Sequence, residues 1–195
     1  MESLDHKIAK LIIEPLPSQD ELGMLLVTDE ERRTADGFGA ARRRAEYLGW
    51  RSIVRRELGR DVAIGYTDEG APVLRNRSEC ISVSHSADYL AVLISTRRCA
   101  VDIERLSRNF SNISSRYISS GERLLSSDPR LEAAVWCAKE TIYKYAGRTG
   151  LDFLRDIHVE KVDFEAGIVV GRVSEGDSVE MQMSVYDGNL IVRLG

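Results

Sequence analysis

Residues 80–104 of this 195-residue chain read CISVSHSADYLAVLISTRRCAVDIE. Three segments, 80–84, 90–95 and 99–104, alternate with a period of two or form continuous apolar runs, and short polar turns separate them. Apolar runs of this length that are bounded by polar turns are typical of buried strands. The stretch therefore predicts three consecutive β-strands in the middle of the chain.

The residues before this stretch are mainly helical in pattern. Apolar side chains at Tyr47, Trp50, Val54 and Leu58 recur every three or four positions, which predicts a helix from 42 to 58. Helix-start patterns S-x-x-E at 18–21 and T-x-x-E at 28–31 predict two shorter helices. A weak strand is expected over 8–16, and a loop over 70–79.

The residues after it repeat the order of helix and strands. An irregular segment at 107–120 is followed by a predicted helix over 130–145 and by strands over 157–164, 168–173 and 179–194. The last of these strands is interrupted by Asp187-Gly188, a strong hairpin signal. The succession indicates an α+β fold with two similar halves that meet near residues 96–105.

Composition excludes several classes of protein. With 43% hydrophobic and 30% charged residues the chain is not a disordered tail. The longest apolar run, 22–27, is far shorter than the roughly 18 residues of a membrane span. Glu2 and Asp5 stand where a secretory signal would be basic, and three unevenly spaced cysteines suggest neither disulfides nor a zinc site. We therefore expect a cytoplasmic protein without a membrane anchor.

The net charge of −4 argues against a protein that coats nucleic acid, but the basic residues are unevenly distributed. Seven arginines lie between 42 and 60 against two acids, which suggests that this helix holds an anionic ligand. Arginine side chains at 42–44 suit a phosphate group, and the alternative is a solvated helix end. His85, between Ser84 and Ser86, is either a ligand contact or a structural histidine.

Two carboxylates lie two residues apart in the A-V-D-I-E sequence at 100–104. On a strand, Asp102 and Glu104 point to the same face, roughly 6 to 7 Å apart. Like charges so placed suit a shared hard cation such as Mg²⁺, and the alternative is a solvated strand edge.

A third candidate acid lies on the helix predicted over 130–145. Trp136, Glu140 and Lys144 recur at intervals of four and share one stripe, and Lys139 is displaced by about 100°. An acid and a base therefore flank each other. The alternative is an ordinary surface pair of Glu140 and Lys144, with Trp136 in the core.

The order of these motifs resembles the 4'-phosphopantetheinyl transferase superfamily. The motifs are R-R-R-A-E-Y-L, G-A-P, S-V-S-H-S, A-V-D-I-E and W-x-x-K-E-x-x-x-K, followed by G-x-x-G-L. The matching region covers roughly two thirds of the chain, from 28 to 151, and the last two full motifs are the most specific. The length is similar to that of the larger, two-subdomain, surfactin-synthetase-activating type, which acts as a monomer. One departure is Ala100, where the family usually has glycine.

The resemblance implies a fold and a division of the chain. Each half would be a small antiparallel sheet packed on a long helix, related by a pseudo-twofold axis. The subdomains would span 1–96 and 97–195, with the active site at their interface. The implied substrates are coenzyme A and an apo acyl or peptidyl carrier protein.

The resemblance also implies a role for each motif residue. Mg²⁺ would be held by Asp102, Glu104 and Glu140, and Lys144 would contact the pyrophosphate of coenzyme A. Glu140 or a metal-held water would accept the serine proton. Phosphate binding would involve Lys139, His85 and an arginine, for which Arg44 is preferred and Arg43 and Arg51 are alternatives.

Two other functions use the same residues. A metal-dependent pyrophosphohydrolase would direct water instead of a serine at the same phosphate. A non-catalytic module that binds phosphate or nucleic acid would use the arginine-rich helix as its contact surface.

A docking surface for the carrier is expected at 105–123, which contains Arg105, Arg108, Arg116 and Arg123 against one acid, Glu122.

Overall fold

The computed structural model describes residues 9–174 and 176–195. The chain divides into two compact units at Arg97 and Arg98. The helices are α1 (Asp29–Asp36), α2 (Ala41–Leu58) and α3 (Leu131–Ala146). The strands are β1 (Ala9–Pro15), β2 (Ile64–Tyr66), β3 (Pro72–Leu74), β4 (Cys80–His85), β5 (Tyr89–Ser95), β6 (Ala100–Arg105), β7 (Ile157–Asp163), β8 (Ile168–Val173), β9 (Val179–Tyr186) and β10 (Asn189–Leu194).

The first unit contains a three-stranded antiparallel sheet in the order β1-β5-β4. Helix α2 packs on this sheet, and Trp50, Ile53 and Val54 form a core with Leu90 and Val92 of β5. The predicted strand at the start of the chain is present as β1, and Ile8 lies outside the described residues. The predicted helix over 42–58 is confirmed as α2.

The approach of α2 to the sheet depends on a glycine. A Cβ atom at Gly49 would lie 2.5 Å from Cδ1 of Leu90 and 3.1 Å from the ring of Pro17. Both distances are shorter than van der Waals contact, so a larger residue would push the helix away from β5. Gly49 therefore sets the distance between this helix and its sheet.

The two predicted helix starts have different outcomes. At α1, the Thr28 hydroxyl accepts from the Glu31 backbone N–H, and the Glu31 carboxylate accepts from Thr28 N–H, so the capping box is confirmed. The helix predicted after Ser18 is wrong. Glu21 bonds back to Ser18, but only a 3₁₀ turn over Leu22–Met24 follows, because the chain becomes extended at Leu25.

The expected loop over 70–79 is wrong in part. Pro72–Leu74 pairs with Ile64–Tyr66 as a short antiparallel hairpin. Strands of three residues are too short to show an alternating pattern, so the sequence contained no periodicity from which to predict them.

The second unit contains five antiparallel strands in the order β6-β10-β9-β8-β7. Helix α3 packs on this sheet, and fully buried Val135, Ala138, Ile157 and Leu190 belong to its core. The segment between β6 and α3 contains two 3₁₀ turns, Ser114–Arg116 and Glu122–Leu124, which agrees with the predicted irregular structure.

The hairpin signal at Asp187-Gly188 is confirmed. Tyr186 pairs with Asn189, and both turn residues have positive φ, 43° for Asp187 and 70° for Gly188. Positive φ at both central positions is the geometry that favours Asp-Gly in two-residue hairpins.

The α+β class with antiparallel sheets is confirmed, and a helix packs on each of the two larger sheets. Among residues 9–174 and 176–195, every helix is too short or too polar to cross a lipid bilayer.

Candidate active site

Strand β6 places Asp102 and Glu104 on one face, as predicted from their spacing. Val101 and Ile103 alternate with them and are fully buried. Asp102 is itself only 5% exposed. A buried carboxylate is costly unless it is paired, so the alternative of a solvated strand edge does not describe Asp102.

Asp102 is paired with the helix that packs on its strand. The Lys144 Nζ atom lies 2.8 Å from Asp102 Oδ1 and donates a second hydrogen bond of 3.0 Å to the Val101 carbonyl. Lys144 thus joins the last turn of α3 to β6. The helical spacing of Glu140 and Lys144 predicted an acid beside a base, and the structure gives the base a partner on the strand.

Glu104 is held by two donors at the same oxygen. The Trp136 indole N–H donates to Glu104 Oε1 over 2.9 Å, and the Arg108 guanidinium also binds Oε1. The Trp136 ring contacts Tyr117 edge to face, with centroids 5.0 Å apart. The tryptophan of the W-x-x-K-E motif is therefore both a packing residue and a hydrogen-bond donor to a candidate site acid.

The three predicted metal-ligand acids interact electrostatically. Burial, followed by the charges of Asp102 and, less strongly, Glu140, raises the pKa of Glu104 to about 7 against the opposing effect of Arg108 and Trp136. Burial and the Asp102 charge also raise the pKa of Glu140. Carboxylates that raise one another's pKa values are typical of sites that receive a proton or a cation.

The donor chemistry of these acids fits a hard divalent cation, but their arrangement here does not form a metal site. Within the described part of the chain, no group of three His, Cys, Asp or Glu side chains is placed to hold a metal ion. Both carboxylates of β6 are instead paired with cations of the chain, Asp102 with Lys144 and Glu104 with Arg108.

Lys139, which was predicted to contact phosphate, is buried inside the second unit. Its side chain is 0% exposed, its ammonium lies 2.8 Å from Glu122 Oε1, and it donates to the Phe153 carbonyl over 2.6 Å. Burial lowers the pKa of Lys139, and Glu122 opposes this shift. A lysine enclosed in this way contacts no ligand in solution, so the placement argues against the predicted phosphate contact.

The sequence contained a signal for this burial. Lys139 follows Val135 by four residues and precedes Ile142 by three, which places it on the apolar stripe of α3. Its partner Glu122 is 5% exposed and also accepts backbone hydrogen bonds from Ser119 and Val159. Nothing in the sequence singled out Glu122 as the acid that would meet Lys139.

Much of the positive charge of α2 is neutralised within the first unit. Arg51 and Arg55 are 1% and 4% exposed, and both meet the Glu31 carboxylate, at 3.3 and 2.7 Å. Arg42 pairs with Glu46. Arg51 also lies over the Tyr47 ring, with its guanidinium carbon 3.4 Å from the centroid. The alternative in which Arg51 binds phosphate is therefore at odds with its burial.

The other predicted phosphate contacts of this unit are more accessible. Arg44 is half-buried and donates to the Phe38 carbonyl over 2.8 Å. Arg43 is exposed, with its guanidinium 4.8 Å from the centroid of the Phe38 ring. The His85 side chain is 51% exposed, and its Nδ1 atom lies 3.3 Å from Glu46 Oε1.

Comparison with known proteins agrees with these motifs in the second unit. Residues 98–181 match the family model of the 4'-phosphopantetheinyl transferase superfamily. A comparison with curated proteins found no match. The matched segment contains β6 and α3, and therefore all of the candidate acids and Lys144. The resemblance inferred from the sequence is thereby confirmed over this segment, and residues 98–181 of the second unit are similar to the 4'-phosphopantetheinyl transferase superfamily.

Proposed function

We propose that this protein transfers the 4'-phosphopantetheine group of coenzyme A to a serine of an apo acyl or peptidyl carrier protein, with release of 3',5'-ADP. The observation that carries the proposal is the family match over residues 98–181. It is supported by the position of Asp102, Glu104 and Glu140 on two packed elements of that same segment.

The transfer requires one bond to form and one to break. The serine oxygen attacks the β-phosphorus of coenzyme A, and the bond from that phosphorus to the bridging oxygen breaks, so 3',5'-ADP leaves. A base must accept the serine proton. We assign this role to Glu140, because it is half-buried and its pKa is raised by burial and by Asp102, which makes it a better proton acceptor than a solvated carboxylate.

Lys144 and the three acids supply the charges that a pyrophosphate needs around it. Lys144 is 28% exposed at its side chain, so its ammonium can be shared between Asp102 and a phosphate oxygen. We include Mg²⁺ in the proposal because the acids are hard oxygen donors. When bound, such an ion would supply positive charge beside the pyrophosphate.

For the 3'-phosphate of coenzyme A we propose Arg44 and His85, with Arg43 as the alternative arginine. Arg44 engages a backbone carbonyl instead of a carboxylate, so its positive charge is not cancelled by that contact. An arginine fork of this kind suits a phosphate group.

We propose a carrier-docking role for residues 105–123 and choose Arg116 as the residue that tests it. Arg108 binds Glu104, and Arg123 binds Glu132 at 2.9 Å, so neither reports on docking alone. Arg116 is exposed in the same segment. We predict that Arg116→Glu raises the KM for the carrier severalfold and leaves the KM for coenzyme A unchanged, because an acidic carrier meets one basic residue fewer.

The matched control for docking is Lys161→Glu on β7, which makes the same change of charge at an exposed position outside the segment. It should alter neither KM. An equal effect of Arg116→Glu on both KM values would contradict the docking role.

The experiment that tests the proposed function is incubation with coenzyme A, Mg²⁺ and a panel of apo carrier proteins, read by intact mass. A carrier should gain one phosphopantetheine, and EDTA should prevent the gain. We predict that Glu140→Gln lowers turnover by about 100-fold or more, with little unfolding. Glu165→Gln, at an exposed position, is the control and should behave like the parent protein.

The assay also separates the other functions. Release of phosphopantetheine with no change in any carrier would show a pyrophosphohydrolase. Near-normal turnover by Glu140→Gln would contradict the assigned base. The binding module is disfavoured by the pairing of Arg51 and Arg55 with Glu31, which leaves less of α2 for a phosphate surface.

A further inference from the structure

Both acids on β6 are bound to cations of the same unit. Lys144 reaches Asp102 from α3, 42 residues away in sequence, and Arg108 reaches Glu104 from the segment that follows the strand. Three candidate ligand acids therefore lie among two basic side chains. The charge that a divalent cation would neutralise is already balanced in part by the chain itself.

The Arg108 side chain has a defined set of contacts beside Glu104. Its guanidinium lies 5.1 Å from the ring centroid of Trp136 and 5.1 Å from that of Phe110. Trp136 donates to the same Glu104 oxygen that Arg108 binds. Cation–aromatic contacts and a charge-assisted hydrogen bond thus act together, and both stabilise the ion pair between Arg108 and Glu104.

The position of Arg108 beside Glu104 is open to solvent and to a neighbouring cavity. The Arg108 side chain is 39% exposed. It also lines a cavity of about 270 Å³ whose other walls include Ser111, Pro129 and Glu132. A guanidinium that leaves Glu104 therefore has open space beside it, in a cavity that Arg130 also lines and where the Glu132 carboxylate already binds Arg123.

Resting on the proposed function, we infer that Arg108 is a built-in counter-cation that competes with the divalent metal for Glu104. While Arg108 is bound, the Oε1 atom of Glu104 is occupied by the guanidinium and by the Trp136 N–H, so it is not available to a metal ion. When the guanidinium moves into the cavity, Glu104 can turn toward Asp102 and Glu140. This accounts for acids with the right chemistry that form no metal site as they stand.

The test is a Mn²⁺ titration of the full chain without coenzyme A, in which the electron paramagnetic resonance signal reports unbound Mn²⁺. Arg108→Met removes the charge and keeps an apolar side chain over Trp136 and Phe110. If Arg108 occupies Glu104 in about nine molecules of ten, its removal should tighten Mn²⁺ binding about tenfold. Arg108→Lys, which keeps a cation, should bind more nearly like the parent protein.

Arg116→Met is the matched control, since it removes an exposed arginine of the same segment. Equal tightening by this variant would show a general charge effect and overturn the inference. Unchanged or weaker binding by Arg108→Met would overturn the role of Arg108 and leave the carboxylate site and the proposed function intact.

A lack of Mn²⁺ binding in every variant, Arg108→Met included, would overturn the inference together with the metal-dependent part of the proposed function. Carrier modification that withstands EDTA would identify the same failure independently. Circular dichroism of each variant establishes that it is folded, and Arg108→Gln replaces Arg108→Met if the latter is not.

Discussion

Helices α2 and α3 both contain buried or half-buried charged residues, but the charges are balanced differently. On α2, Arg51 and Arg55 are buried against Glu31 of α1, so an excess of basic groups is held in the interior of the first unit. On α3, half-buried Glu140 faces the acids of β6, and the pKa values of Glu104 and Glu140 are raised.

The comparison shows that a run of like charges in a sequence does not by itself locate a ligand site. The arginines of α2 are more numerous than the acids of β6 and α3, yet several of them have partners inside their own unit. The acids are fewer, but burial and mutual repulsion disfavour their ionised forms. The incompletely balanced charge, and not the larger charge, indicates the candidate site.

The most direct test of this comparison removes one buried or half-buried acid from each unit, Glu31 from the first and Glu140 from the second. Glu31→Gln leaves Arg51 and Arg55 buried without their shared carboxylate, so we expect the free energy of unfolding to fall by about 3 to 5 kcal/mol. Glu140→Gln removes an acid that lies among other acids, and should change the same quantity by less than about 1 kcal/mol. Urea unfolding measures both.

Glu30→Gln is the control for the first unit, because it changes an exposed acid one residue from Glu31. A loss in Glu31→Gln no greater than in this control would show that the two arginines are satisfied without Glu31. The contrast between the units would then disappear.

A second substitution tests whether Lys139 stabilises the fold or contacts a phosphate of the ligand. Lys139→Met leaves the buried Glu122 carboxylate without its cation, and should lower the free energy of unfolding by an amount that is also about 3 to 5 kcal/mol. The double variant Lys139→Met/Glu122→Gln should recover part of this loss, because neither charge then remains buried alone.

Urea unfolding measures the three proteins, and the KM for coenzyme A is determined alongside. A raised KM in Lys139→Met with unchanged stability would return this lysine to the phosphate site. Lys139 would then resemble Lys144 as a candidate ligand contact.

A third effect is a pH dependence of stability that arises from Glu104. Its pKa lies near 4.5 in the unfolded chain and is raised to about 7 on folding. Between these values the folded protein binds the proton more tightly, so the free energy of unfolding should decrease as the pH rises from about 4.5 to about 7. Unfolding in EDTA at several pH values measures this slope.

Glu104→Gln should flatten the slope, because the group that titrates is removed. A slope that persists in this variant would mean that other groups, such as Glu140, account for the dependence.

Much of the second unit could be predicted from local patterns. The alternation of β6, the helical spacing of Trp136, Glu140 and Lys144, and the Asp187-Gly188 turn are all properties of neighbouring residues. The helix after Ser18 was predicted wrongly although its first hydrogen bonds form, because a start signal does not supply the packing that extends a helix.

The sequence by itself determined the α+β class, the two elements that present the acids, and the order of motifs that resembles a transferase family. These depend on spacings of two to four residues, which the backbone converts directly into faces of strands and helices. Tertiary structure alone decided which charges were paired. Glu31 with Arg55, Glu122 with Lys139 and Asp102 with Lys144 are 24, 17 and 42 residues apart, and no local pattern specifies such partners. Arg108 lies only four residues from Glu104, yet its contact with the Trp136 ring depends on the packing of α3 against β6.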